Sequence, residues 1–207
     1  FGFNYSASRE VARTRSDKDH LKHVVTGVLG AKLLLMAVAF VIALVASIWM
    51  RVFQENPGYV WWALLIAVAS SFYPVWYFQG VERLRKVSMM NVGFRLAGAV
   101  ATIYFVQSID DAWLTLALQA AAALLAALTA QVWMYREVPF WRPTRQLARD
   151  ALYMGRSMFL LSVSSSLYNT ANSVILGIFS PTRIVGFYGG AERIHRFGIS
   201  PFGPMSQ

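Results

Sequence analysis

Of 207 residues, 57% are hydrophobic and only 14% charged, against about 25% charged in an average soluble domain. This composition points to a lipid solvent. The net charge of +9 does not indicate nucleic acid, because its Lys and Arg residues fall between long apolar runs rather than on one basic patch. The absence of Cys excludes a disulfide framework and a thiolate metal site, and no cofactor motif is present. The sequence opens at Phe1 and stops at Gln207 soon after a fresh apolar segment begins, so it reads as a piece of a longer chain.

In chain order, a charged lead-in containing Arg9, Arg13, Arg15, Lys18 and Lys22 comes first. Within it, Ser16 and Asp19 are spaced as a capping box ahead of a helix. Five segments then reach the roughly 20 apolar residues needed to cross about 30 Å of hydrocarbon. They run from Val24 to Met50, Tyr59 to Gln79, Val87 to Gln107, Ala112 to Tyr135 and Ser157 to Phe179, with a sixth starting near Ile184. Asn56, Pro57 and Gly58 supply a turn after the first span, and Asp110 and Asp111 one after the third. Pro74 removes a backbone donor inside the second span, which predicts a kink. The longest connection, 136–156, contains Pro139 and Pro143 and predicts a boundary between two helical lobes.

Cationic loops resist translocation, and the loops alternate without exception. One side holds thirteen Lys and Arg residues, the other only Arg51 and Arg183. That places the lead-in and the 136–156 connection in the cytoplasm. Trp49, Trp61, Trp62, Trp113, Trp133 and Tyr135 gather at span ends, where amphipathic rings favour the interface.

Four cations, Lys32, Arg95, Arg193 and Arg196, fall inside apolar segments. A charge at mid-bilayer costs roughly 2.5–3.5 kcal/mol, so each either faces a wet interior or snorkels to the headgroups. Around Arg95 the neighbours are Asn91, Gly93 and Gly98, types that mark helix contacts or a wet face. In the fifth span Ser162, Ser166, Asn169 and Ser173 recur at spacings of four, three and four, a single helical stripe widened by Ser165 and Asn172. That stripe is either a packing seam or the polar wall of a pathway. His20 and His23 read as solvated surface groups, and His195 as a lumen group or part of a charged helix end.

Three stretches carry a resemblance. GFNYSASREVARTRSDKDHL resembles the segment closing the second helix of O-antigen flippases of the Wzx type, within the multidrug, oligosaccharidyl-lipid and polysaccharide exporter superfamily. WYFQGVERLRKVS is similar to that family's fourth helix and following loop, and LYMGRSMFLLSVSSSLYNTANSVILGIFSPTRIVGFYGGAERI to its seventh helix and the entry to the eighth. The resemblance implies an all-α polytopic membrane protein: five complete transmembrane helices and the start of a sixth, part of a two-lobe exporter of roughly twelve to fourteen helices. Residues 1–135 would be the later part of the first lobe (the end of helix two and helices three to six), 136–156 the inter-lobe connection, and 157–207 the start of the second lobe.

It also implies a non-enzymatic flippase in the bacterial inner membrane. Such a protein moves sugar units on undecaprenyl pyrophosphate by alternating access, for O-antigen or exopolysaccharide synthesis. Its partners would be the lipid-linked oligosaccharide, membrane lipid and the polysaccharide polymerase machinery. A pyrophosphate calls for Lys32, Arg95 and Arg193; Asn169 and Asn172 suit sugar hydroxyls. Asn4, Arg9, Gln79, Gly80, Glu82, Glu192 and Arg193 lie in the matching motifs, with Glu192 and Glu82 the candidates for ion coupling, since no carboxylate lies inside a complete span. The rival functions are a drug exporter of the same fold, a membrane-embedded polymerase or glycosyltransferase acting on lipid-linked sugars, and a non-transporting scaffold.

Overall fold

The computed structural model describes residues 3–15, 17–49, 57–108 and 111–199. Every element among them is a helix: α1 (Phe3–Thr14), α2 (Lys18–Trp49), α3 (Pro57–Phe72), α4 (Val75–Gly80), α5 (Leu84–Phe105), α6 (Ala112–Glu137), α7 (Arg145–Phe179) and α8 (Thr182–Ile199). The chain divides into two compact units, 1–159 and 160–207.

Three helical stretches are long and apolar enough to cross a membrane: Lys18–Trp49, Gly58–Gly80 and Ala112–Glu137. At about 1.5 Å per residue, the 32 residues of α2 extend well past a hydrocarbon core of about 30 Å. The surplus lies at its charged start, where Lys18, Asp19, His20 and Lys22 stand. Helices also cover the third and fifth expected spans, but α5 and α7 are not among the three stretches. Arg95 and Asn91 in α5, and the Ser and Asn residues of α7, lower their apolar content.

The α2 start is capped by Asp17, whose Oδ1 accepts from the backbone N–H of Asp19 at 3.0 Å and His20 at 3.1 Å, satisfying two of the four orphan donors of a helix start. Ser16, expected in that role, lies outside the described residues, as do Asn56 and Asp110 of the expected turns. Asp111 closes its own turn: Oδ2 accepts from the Ser108 hydroxyl at 2.9 Å, the Ser108 N–H at 3.1 Å and the Gln107 N–H at 3.4 Å. Those donors, led by the Ser108 hydroxyl, hold its carboxyl below the usual aspartate range.

Unit 1 packs tightly at its cationic end. Leu21, Val25 and Val28 of α2 meet Trp76, Tyr77 and Phe78 of α4, Val87 of α5 and Met134 of α6. Small residues carry the closest approach there: a Cβ on Gly27 would stand 2.8 Å from the Leu147 carbonyl oxygen, so only glycine lets α7 cross α2 at this height. The 136–156 connection is accordingly helical from Arg145 onward and docked on α2 at this crossing. Elsewhere the large apolar side chains point outward, with Val38, Val41, Ile42, Ile48 and Trp49 of α2 and Leu96, Ile103 and Phe105 of α5 all more than half exposed. An exposed apolar surface of that extent marks a lipid-facing wall.

Unit 2 holds the second part of α7 and α8, joined through Ser180 and Pro181. The Ser180 N–H closes the end of α7 on the Leu176 carbonyl at 2.8 Å, and the Pro181 carbonyl opens α8 by accepting from Ile184 at 2.9 Å. Tyr168, Phe179 and Ile194 are more than three-quarters exposed.

Candidate functional site

Pro74 does more than kink the second span. Proline has no N–H and its ring crowds the preceding turn, and here the helix stops at Phe72 and restarts at Val75. The last helical bond runs from the Tyr73 N–H to the Ala69 carbonyl at 3.1 Å; the restart is set by the Pro74 carbonyl, which accepts from Tyr77 at 3.1 Å. The break leaves the Ser71 and Phe72 carbonyls without their helical donors, in a partly buried apolar setting where an unmet backbone group is costly.

Two side chains from neighbouring spans meet those carbonyls. Lys32 of α2 donates from Nζ to the Ser71 carbonyl at 2.7 Å, and Gln131 of α6 donates from Nε2 to the Phe72 carbonyl at 2.6 Å. Lys32 is only 3% exposed, its ammonium 5.7 Å from the Trp76 ring centroid. A cation at the carbonyl end of α3 also suits the helix dipole. Two buried polar atoms beside the break, Gln131 Oε1 and Trp76 Nε1, have no partner among the described residues. Gln131 also lines an apolar cavity of about 380 Å³ with Leu29, Leu33, Val68, Phe72 and Leu128.

Below the break, α4 is tied to its surroundings by polar contacts. The Tyr77 hydroxyl donates to Glu137 Oε2 at 2.9 Å, and Arg83 donates to Glu137 Oε1 at 2.7 Å. The Tyr73 hydroxyl donates to the Val87 carbonyl at 3.0 Å. After Gly80 the chain reverses in a Schellman motif, with the Arg83 N–H on the Phe78 carbonyl at 2.8 Å and the Glu82 N–H on the Gln79 carbonyl at 3.2 Å. Glu82 takes the left-handed position of that motif at φ 61°, where glycine is usual.

The sequence-predicted residues are distributed as follows. Lys32 is enclosed and committed to a backbone carbonyl. Arg95 stands at the twelfth of 22 positions in α5, exposed, with its Nε on Asn91 Oδ1 of the same helix at 3.3 Å. Asn4 and Arg9 are exposed on α1, and Gln79 is exposed on α4. Gly80 is buried where α1 crosses α4: a Cβ there would lie 2.6 Å from Val11 Cβ and 2.7 Å from the Ser8 carbonyl oxygen. Glu82 is exposed and reaches Arg15 at 3.4 Å. Two matched motifs far apart in sequence thus meet at the α1–α4 crossing. In unit 2, Glu192 is partly buried on α8; the side chains of Asn169, Asn172 and Arg193 lie outside the described ones.

Sequence reasoning missed Gln131 and the Tyr77, Glu137 and Arg83 cluster. Gln131 carried a usable signal, an amide in the Ala-rich run from Ala120 to Ala130 and beyond. Glu137 carried none, since it sits just past the apolar stretch.

These features define a membrane-embedded helical protein: outward-facing apolar spans, one of them broken, with the two carbonyls freed at the break answered from neighbouring helices. The chain belongs to the polysaccharide biosynthesis protein family, which matches it over residues 1–207. It is 25% identical over 209 residues to a protein of Escherichia coli (strain K12) named "Putative O-antigen transporter", covering 100% of this chain and 50% of that protein. A Shigella dysenteriae protein of the same name is 19% identical over 210 residues, covering 100% of this chain and 52% of the relative. The chain therefore spans about half the length of the curated relatives it matches. No solved structure matches it.

Proposed function

We propose that the chain forms about half of a flippase that moves sugar units on undecaprenyl pyrophosphate across the bacterial inner membrane by alternating access. The observation carrying this reading is the family match over the whole chain, with relatives named as O-antigen transporters. In the proposed topology α5 and the part of α7 from Ser157 cross the membrane as well, giving five spans plus a sixth begun by α8. Residues 1–135 belong to one lobe, 136–156 to the inter-lobe connection and 157–207 to the second lobe. The alternation of cationic loops supports that topology, and with it a cytoplasmic lead-in.

Arg95 is the leading substrate contact. A guanidinium at mid-span on an open helix face is stable where that face is wet, and its Asn91 partner leaves most of its five donors for a pyrophosphate. Lys32 takes a second role: its bond to Ser71 makes it a support of the broken helix first. Arg193, Asn169 and Asn172, with Asn4 and Arg9 of the matching motif, are proposed substrate groups, and Glu192 and Glu82 proposed coupling groups. Of these two, Glu82 is exposed at a helix end, which favours Glu192. The polymerase machinery is the proposed partner in the membrane.

The test is complementation of a bacterium lacking its own flippase with the full-length gene, wild type and Arg95→Ala, scoring surface polysaccharide and build-up of lipid-linked units. Wild type is expected to restore the polymer and Arg95→Ala to fail at equal membrane level. Failure of the wild type, when well expressed with its matching sugar pathway, overturns the flippase reading. Full rescue by Arg95→Ala removes Arg95 from the substrate site.

A further inference from the structure

The cationic end of unit 1 contains a cleft of about 590 Å³ that plays no part in the transport reading. Its volume falls in the ordinary range of ligand pockets, roughly 300–1,000 Å³. The wall is apolar: Phe78 and Val87 are almost fully buried and Trp133 is partly buried beside them. The rim is basic, formed by Arg83, Arg85 and Lys86 at the start of α5 and Arg136 at the end of α6.

Charge accounting leaves a surplus. Glu137 is the acidic group of the cleft, and it is already engaged by Arg83 at 2.7 Å and by the Tyr77 hydroxyl at 2.9 Å. Arg85, Lys86 and Arg136 are exposed and have no hydrogen-bond or ion-pair partner among the described residues. Three unanswered cations therefore border an aromatic and aliphatic wall, at the height where two spans leave the membrane.

The two halves of the cleft select one ligand chemistry. A small soluble anion would engage the rim and leave the wall unused. A hydrocarbon chain would engage the wall and leave three charges unanswered. A phospholipid with an acidic headgroup satisfies both, with its phosphate among the cations and its glycerol and upper acyl carbons against Trp133 and Phe78. Basic pockets between spans on the cytoplasmic side are suited to such headgroups.

We propose that this cleft is a binding site for an anionic phospholipid of the leaflet facing the cationic loops. The proposal rests on the reading that unit 1 lies in a membrane with that end at the surface; it requires neither a sugar substrate nor transport. A lipid held there would brace the ends of α5 and α6 beside the Schellman turn at Glu82.

The test is native mass spectrometry of the full-length protein, titrated in detergent with dioleoyl phosphatidylglycerol and, separately, with dioleoyl phosphatidylcholine. Wild type is expected to retain phosphatidylglycerol in preference to phosphatidylcholine. The Arg85→Gln, Lys86→Gln, Arg136→Gln triple variant is expected to lose that preference. At about fivefold per charge, the total loss is on the order of 100-fold. An Arg13→Gln, Arg142→Gln, Arg149→Gln variant, which removes as much charge from the same end outside the cleft, should keep most of it. Equal retention by wild type and the cleft variant, or equal loss in both variants, overturns the proposal.

Two measurements on wild type stand apart from any folding defect of the variants. Preference for phosphatidylglycerol should fall with added salt, and millimolar inorganic pyrophosphate should leave most of the lipid bound. Complete displacement by pyrophosphate would make this a soluble-anion site and overturn the lipid assignment. Complementation separates the two readings: lipid retention without polymer rescue sinks only the flippase, and rescue without lipid preference sinks only this site.

Discussion

The two units differ in how their helical glycines are used at helix contacts. In unit 1, Gly27 and Gly80 are pressed against a neighbouring backbone, and the broken span has its carbonyls answered by Lys32 and Gln131 from other helices. In unit 2, a Cβ added at Gly186, Gly189 or Gly190 would meet nothing within 4 Å, and Tyr168 and Phe179 stand exposed. Glycines that lock helices together thus occur in unit 1, beside the open Gly58 and Gly93, while Gly177, Gly186, Gly189 and Gly190 of unit 2 all lie open. Glycine in a helix costs about 0.5–1 kcal/mol relative to alanine, a cost repaid in unit 1 by close approach. In unit 2 the described residues show no such return.

The sharpest way to break this comparison is Gly80→Ala. The added methyl meets Val11 Cβ at 2.6 Å and the Ser8 carbonyl oxygen at 2.7 Å, and a backbone oxygen cannot rotate aside. Overpacking of this kind costs typically 1–3 kcal/mol, and the upper end, about 3 kcal/mol, is expected here. The measurement is thermal unfolding of the full-length protein in detergent, with limited proteolysis of α1 as a local readout. An unchanged midpoint and an unchanged α1 cleavage rate would show that α1 does not seat on α4 as described.

Next in size is Gln131→Leu. The substitution keeps the side chain's bulk but leaves the Phe72 carbonyl buried without a donor, at about 1–3 kcal/mol. It also removes the unpartnered Oε1, so a net loss of about 1–2 kcal/mol is expected. Denaturant unfolding monitored by Trp fluorescence would report it. A neutral result would mean that the break at Pro74 draws its support from Lys32 alone.

Much of unit 1 was legible in the sequence because hydropathy and loop charge are properties of single segments. Val24 to Trp49 and Ala112 to Tyr135 fall inside α2 and α6, Met50 lying outside the described residues, and Asp111, a turn residue by its sequence, closes its turn with three accepted hydrogen bonds. Lys32 was recognisable as a charge that needed a partner. That partner was not, because the Ser71 carbonyl is free only once Pro74 breaks the helix completely, and a proline alone does not say whether a span bends or stops. Gln79, Gly80 and Glu82 stand out as a motif, but the contact of Gly80 with α1 and of Glu82 with Arg15 just after it depends on a crossing between segments some 70 residues apart, which no local pattern encodes. In unit 2 the polar stripe of α7 is plain in the sequence, while what faces it is a matter of helix packing that a single segment's pattern does not encode.

The smallest effect addresses that stripe's unit directly. Gly186→Ala in α8 places a methyl where no atom lies within 4 Å, so the intrinsic helix preference should act unopposed and stabilise by up to about 1 kcal/mol. Measured in the full-length protein, a gain of that size would show that the Gly186 face of α8 stays open in the assembled molecule, as a helix lining a cavity requires. A loss of 1 kcal/mol or more would reverse the lesson of the comparison. The glycine would then be a close-packing position like Gly80, and another segment of the longer protein would sit on it. The sign of the change thus decides whether unit 2's small residues line open space or wait for a neighbour.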